Sequence, residues 1–318
     1  MNISNYLMSS FKGHIASYLS DIEQDHHPST VINYAFYLQR FGDYSRWPEP
    51  DSITGALVDR YRHWLTSSTG RGLSLEPATL NCHLVALRGL LRWLQLKRIS
   101  SLPPQRVLLA VVSAAPPQSL EPADLQKLLA TPSKVNQSSI VSRRDQALME
   151  VLFSTGIKVS EAANLTREDF TPTKKSGEAS MLKVPSPGRG RARDLALSRQ
   201  ATKAIQVYLD IREDSSKFLF IGHDRGANSK TRGSRALTPR SIQRLVKKYA
   251  SQAGIKAQVT PQTIRHSVAT HLLLAGVDLA SLQTLLGHES VGTTKIYEQV
   301  TDPKMSEVSA KIKNKKKR

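Results

Sequence analysis

Two proline pairs cut the chain before any finer pattern is considered. Pro103–Pro104 lies in "SSLPPQRV" and Pro116–Pro117 in "SAAPPQSLEPADL", with a short apolar segment between them. Proline lacks the amide proton that a helix needs and pushes the preceding residue out of the helical region. The stretch therefore suits an extended connector. The 318 residues then divide into an N-terminal domain over 1–103, a linker over 104–118, a second domain over 119–300 and a tail over 301–318. Domains of these sizes are ordinary, and a hydrophobic fraction of 39% allows each a packed core.

The N-terminal part is patterned as helix. In "HPSTVINYAFYLQRF" either Ser29 or Thr30 is suited to cap a helix, and Val31, Tyr34, Leu38 and Phe41 follow at helical spacing. In "SLEPATLNCHLVALRGLLRWLQ" the stripe is Leu80, Leu84, Leu87, Leu91 and Leu94. Asn81, Arg88 and Arg92 fall on another face, which is either a solvated surface or a face for DNA phosphates. The one cysteine, Cys82, excludes an internal disulfide and a cysteine-based metal site, and its apolar neighbours predict a buried thiol.

The second part mixes patterns. "DQALMEVLFSTG" predicts an amphipathic helix ended by Gly156. "SMLKVPSPGRGRARDLALS" predicts a small hairpin with Arg189, Arg191 and Arg193 near its tip. "RALTPRSIQRLVKKYASQAG" predicts a helix after Thr238 with Pro239 in its first position, decorated by Arg240, Arg244, Lys247 and Lys248.

The charge balance is +19 with a pI near 10.1. That excess points to a polyanion, above all nucleic acid, rather than to a membrane. The first residues lack a continuous apolar region of the signal-peptide kind, and "VLLAVVSAA" is too short to span a bilayer. A soluble, cytoplasmic protein is expected.

From Thr260 to Val300, Arg265, His266, His288 and Tyr297 gather at successive helix ends. A tyrosine can act as a nucleophile, and arginine and histidine donate hydrogen bonds to phosphate oxygens. Attack on a phosphodiester builds negative charge on its non-bridging oxygens, which such donors stabilise. Arg265, His288 and Tyr297 fit that need jointly, although each alone would say little.

"TIRHSVATHLL", "LLGHESVGTTKIY" and the earlier "VLFSTGIKVSEAANL" resemble the signature regions of the tyrosine recombinases, the phage-integrase and Xer group. "LNCHLVALRGLLRWL" resembles that group's helical, SAM-like core-binding domain. The resemblance runs in order over nearly the whole chain, nearest to stand-alone Xer-type recombinases. It implies a mainly α fold with a small β-sheet (α+β), in which a helical domain and a mixed catalytic domain clamp duplex DNA. It implies attack by the tyrosine to give a 3′-phosphotyrosyl bond and a free 5′-hydroxyl, with no metal and no other cofactor. It also implies a homo- or hetero-tetramer on two DNA sites. A C-terminal helix, capped here by Thr301 or Asp302, would pack into a neighbouring subunit.

Carried over by residue, the resemblance makes Tyr297 the nucleophile, Arg265 and His288 phosphate donors, and Glu161 an ordering carboxylate. It leaves His266 a structural role. Three positions depart from the group's pattern: Lys158 stands where it has an arginine, Arg189 where it has a general-acid lysine, and Gln262 where it usually has histidine. Lysine loses the two-pronged fork, arginine is a poor proton donor, and glutamine cannot relay a proton. Three readings follow. The first is a recombinase with an atypical site. The second is a catalytically weakened relative that binds DNA as a structural or regulatory protein. The third is a helix-turn-helix regulator, which leaves "STGIKVSE" and Tyr297 unexplained.

Overall fold

The computed structural model describes residues 10–67, 74–112, 118–135, 139–173, 178–185, 192–223 and 235–287. The predicted C-terminal helix and the tip of the predicted hairpin lie outside these residues. The chain splits into two compact units, Met1–Ala114 and Ala115–Arg318, and the division falls inside the segment read as a linker.

The first unit contains α1 (Phe11–Glu23), α2 (Pro28–Ser45), α3 (Gly55–Ser67) and α4 (Pro77–Leu96). The leucine stripe of α4 is buried throughout and packs against Phe11, Leu38, Phe41, Tyr61 and Leu65 from the other three helices. Each such leucine contributes about 1.5–3 kcal/mol by leaving water. The cap of α2 differs from expectation. His27 is the N-cap, its ring accepting from the Ser29 amide, and Pro28 fills the first turn, where no amide proton is needed.

Cys82 is exposed, contrary to the sequence expectation. The stripe turns Leu80, His83, Leu84 and Leu87 inward, and Cys82 falls between those positions with its thiol 3.4 Å from the Ala78 carbonyl one turn back. Asn81 plays a structural part, since its amide donates to the Ala110 carbonyl at 2.9 Å and accepts from the Ala110 amide at 2.8 Å. This holds an otherwise exposed apolar segment against α4, with Leu108 and Val111 facing solvent.

His83 is buried and lies 3.1 Å from the Tyr61 hydroxyl. Burial, with Arg40 as a smaller cause, pushes its pKa from 6.5 down to about 4. The folded state therefore keeps it neutral where the unfolded chain takes up a proton. Its contribution is complete above pH 6.5 and is lost as pH falls through about 4. The loss amounts to as much as about 3 kcal/mol. Urea unfolding at pH 7, 5.5 and 4.5 should show a steeper acid-side decline for the wild type than for His83→Asn, and equal slopes would refute this assignment.

The second unit contains α5 (Pro122–Val135), α6 (Ile140–Thr155), α7 (Val159–Asn164), α8 (Arg199–Asp210), α9 (Pro239–Gln252), α10 (Pro261–Leu274) and α11 (Leu279–Leu286). A three-stranded antiparallel sheet is formed by β1 (Phe170–Thr171), β2 (Met181–Val184) and β3 (Arg193–Ala196) in that order. Val184 pairs with Arg193 and Met181 with Ala196, so the predicted hairpin is present as β2 and β3. Thr238 caps α9 and Pro239 opens it, as the sequence implies.

Helix α6 runs through the core, packed by α5, α8 and α10. Its buried Arg144 and Asp145 form an ion pair. Asp145 also accepts from the Tyr249 hydroxyl of α9 at 2.8 Å, and Arg144 donates to the Ile221 carbonyl at 2.9 Å. Both members of the pair thus have further hydrogen-bond partners, the condition under which a buried pair persists.

Candidate active site

Helix α6 ends at Gly156, whose φ of 61° is left-handed and whose amide donates to the Leu152 carbonyl. Glycine suits the place twice over, because a Cβ there would also approach Leu286 Cδ2 at 3.0 Å. Two residues on, the half-buried Lys158 is the N-cap of α7. Its ammonium has no acceptor to offer a helix amide. The cap comes instead from Glu161, whose Oε2 accepts the Lys158 amide at 2.7 Å.

Helix α10 is capped by Thr260, whose side chain accepts from the Thr263 amide. The periodicity then turns Gln262 to solvent and Arg265 inward, where it is 2% exposed. Arg265 donates from Nη1 to the Gly156 carbonyl at 2.7 Å and from Nη2 to the Leu286 carbonyl at 2.8 Å. Gly156 leads to Lys158, and Leu286 ends α11 two positions before His288. One guanidinium thus bridges the turn after α6 and the end of α11. His266 is half-buried, its Nε2 lies 3.1 Å from the Gln262 amide nitrogen, and its pKa is lowered by burial and then by Arg265.

Arg193 sits elsewhere than the sequence suggested. It opens β3 rather than standing at the hairpin tip, and its guanidinium faces inward. It donates to Glu161 Oε1 and Oε2, each at 2.9 Å, to the Leu285 carbonyl at 3.0 Å and to the Leu286 carbonyl at 3.2 Å. Arg193, read from the sequence as a DNA contact, has these donors engaged inside the protein. Charge alone does not single out Arg193, because one basic residue in a run looks like its neighbours. The clue was Glu161, an acidic residue in a basic domain that needs a cation once buried.

A groove of about 610 Å³ opens beside Gln262. Arg240, Arg244 and Lys247 line one wall from the exposed face of α9, with Gln243 among them. Lys248 lies one position round the helix, its ammonium 5.2 Å from the centre of the Tyr249 ring. Gln243 and Gln258, absent from the sequence-level candidates, share this groove. In the first unit, Arg92 is exposed, while Arg88 is half-buried and donates to the Pro104 carbonyl at 3.3 Å.

The fold therefore brings together Lys158, Glu161, Arg265 and Arg193, with Gln262 one turn away on α10. Arg189, Arg191, His288 and Tyr297 lie outside the described residues. Among the described residues no group of acidic, cysteine or histidine side chains could hold a metal ion. No helix among them is long and apolar enough to cross a membrane.

The sequence profile of the phage integrase family matches residues 118–304. The tyrosine recombinase XerC of Thermodesulfovibrio yellowstonii is 29% identical over 301 residues, covering 94% of this chain and 93% of the relative. The tyrosine recombinase XerD of Shewanella oneidensis is 33% identical over 216 residues, or 68% of each chain. In fold the chain is similar to XerH site-specific recombinase bound to a palindromic difH substrate, with a TM-score of 0.68 and 22% identity over 89% of this chain and 80% of that one. It is also similar to a lambda integrase dimer bound to a COC′ core site, with a TM-score of 0.67 and 13% identity over 95% of this chain and 81% of that one. The chain belongs to the phage integrase family, as an Xer-like tyrosine recombinase of the DNA breaking and rejoining class.

Proposed function

We propose that this chain performs site-specific recombination of duplex DNA in the cytoplasm through a 3′-phosphotyrosyl intermediate on Tyr297. The observation that supports this most directly is Arg265, whose guanidinium joins the loop leading to Lys158 with the turn leading to His288. The phenol of Tyr297 gives up its proton to water as its oxygen attacks phosphorus and the bond to the 5′-oxygen breaks. The leaving strand takes a proton and departs as a 5′-hydroxyl. Arg265, His288 and Lys158 offset the charge that builds on the non-bridging oxygens. The groove cations Arg240, Arg244 and Lys247, with Lys248, Arg92, Arg191 and Arg88, hold the flanking phosphates, and the two units engage one duplex. Four subunits, alike or of two kinds, act on two DNA sites, with the segment after Asp302 docking on a neighbour.

A suicide substrate carrying a nick beside the scissile phosphate tests the proposal. A covalent protein–DNA band on a denaturing gel is expected. Its absence on a bound target site would favour the second reading, a DNA-binding relative without strand cleavage.

Lys158, Arg189 and Gln262 should make this site slower than one with the usual residues. Lysine gives a single point charge where an arginine gives paired planar donors. Lys158→Arg should accelerate cleavage by about 5- to 150-fold, corresponding to roughly 1–3 kcal/mol for one restored transition-state donor. DNA affinity should hold, since net charge is conserved. Adding Arg189→Lys supplies a titratable proton donor and should raise the rate again. Unchanged rates in both variants would show that these positions do not limit the reaction.

A further inference from the structure

We propose that Arg193 is a positioning residue for strand cleavage, a brace that sets Lys158 through Glu161 and fixes the turn that precedes His288. The inference rests on the proposed cleavage reaction and extends it to a residue that its charge alone would place on DNA.

The geometry separates the two roles. Arg193 is mostly buried, and its fork closes on both oxygens of Glu161, which is itself 2% exposed. The same carboxylate accepts the Lys158 amide at 2.7 Å, so the pair fixes where the Lys158 backbone leaves the turn. On its other side Arg193 holds the Leu285 and Leu286 carbonyls, and Leu286 is also held by Arg265. Gly287 leaves room for this: a Cβ there would come within 2.7 Å of the Arg193 guanidinium. Three elements, β3, α7 and α11, thus meet on one planar cation. Lysine could keep the charge but could not make four directed bonds in these positions.

Arg193→Lys in the full-length chain separates bracing from phosphate binding. Cleavage of the suicide substrate should fall by about a hundredfold, as expected when a reacting group is displaced by about an ångström. DNA affinity and its salt dependence should not change. In a Lys158→Ala background the same substitution should cost at least about threefold less than in the wild type, because one of the two groups it positions is gone while the turn before His288 is still released. A merely structural role would give equal losses in both backgrounds and would overturn the proposal. Weaker DNA binding with a salt slope reduced by about one would overturn it in favour of a phosphate contact. Glu161→Gln, which keeps the shape and removes the ion pair, should reproduce the cleavage loss if Arg193→Lys folds poorly.

If the parent forms no adduct on a bound site, the cleavage reading fails, and the brace is decided by amide hydrogen exchange alone. The segment containing Lys158 should then exchange faster in Arg193→Lys than in the parent. Unchanged protection there would overturn the proposal.

Discussion

Tyr297→Phe should bind its DNA site within about twofold of the wild type and form no covalent band at all. The two outcomes have separate causes. Affinity for duplex DNA comes mainly from cations that displace condensed counterions, and it falls steeply as salt rises. The chain carries an excess of 19 positive charges, and Arg240, Arg244 and Lys247 line the groove next to Gln262. A phenol oxygen adds little to that sum. Covalent capture, in contrast, requires an oxygen nucleophile at one place, and phenylalanine has none. Filter binding across a salt series and a denaturing gel on the suicide substrate read the two quantities independently. A band that persists in Tyr297→Phe would remove Tyr297 from the nucleophile role.

The helices were legible because their signals are local. Thr238 followed by Pro239, the leucine stripe of α4 and the glycine after α6 each act within one or two turns, and each element stands where its signal put it. What the sequence hid depends on contacts made across it. Arg193 and Glu161 are 32 positions apart, so nothing in the basic run around Arg193 distinguishes the residue that turns inward. Cys82 failed for a related reason. Apolar neighbours in sequence do not mean an apolar face, and about one hundred degrees of rotation separate Cys82 from the buried His83. Asn81 was assigned to a surface and proved to pair with a backbone segment 29 positions later. The sequence therefore offered candidates for a site, whereas the bonds that hold Arg265, Arg193 and Glu161 could not be read from it.

Arg265→Ala should lower the cleavage rate by about a hundred- to a thousandfold or more, the range for removing one donor to a transition-state oxyanion. The structure adds a second loss. Arg265 is 2% exposed and is the donor to the Gly156 and Leu286 carbonyls. Truncation takes this donor from the buried Gly156 carbonyl, at about 1–3 kcal/mol, while the Leu286 carbonyl keeps Arg193. It also unties the turn before Lys158 from the turn before His288, so both neighbours lose their positions along with the missing charge. Arg265→Lys should fall between, because one ammonium keeps the charge and can satisfy only part of the bridge. DNA affinity should change little in either variant, since a buried guanidinium contributes less to the initial association than the exposed cations of α9. Single-turnover cleavage measured beside equilibrium binding and thermal unfolding resolves the terms. A drop in affinity as large as the drop in rate would instead make Arg265 a ground-state phosphate ligand, with binding rather than catalysis as its main contribution.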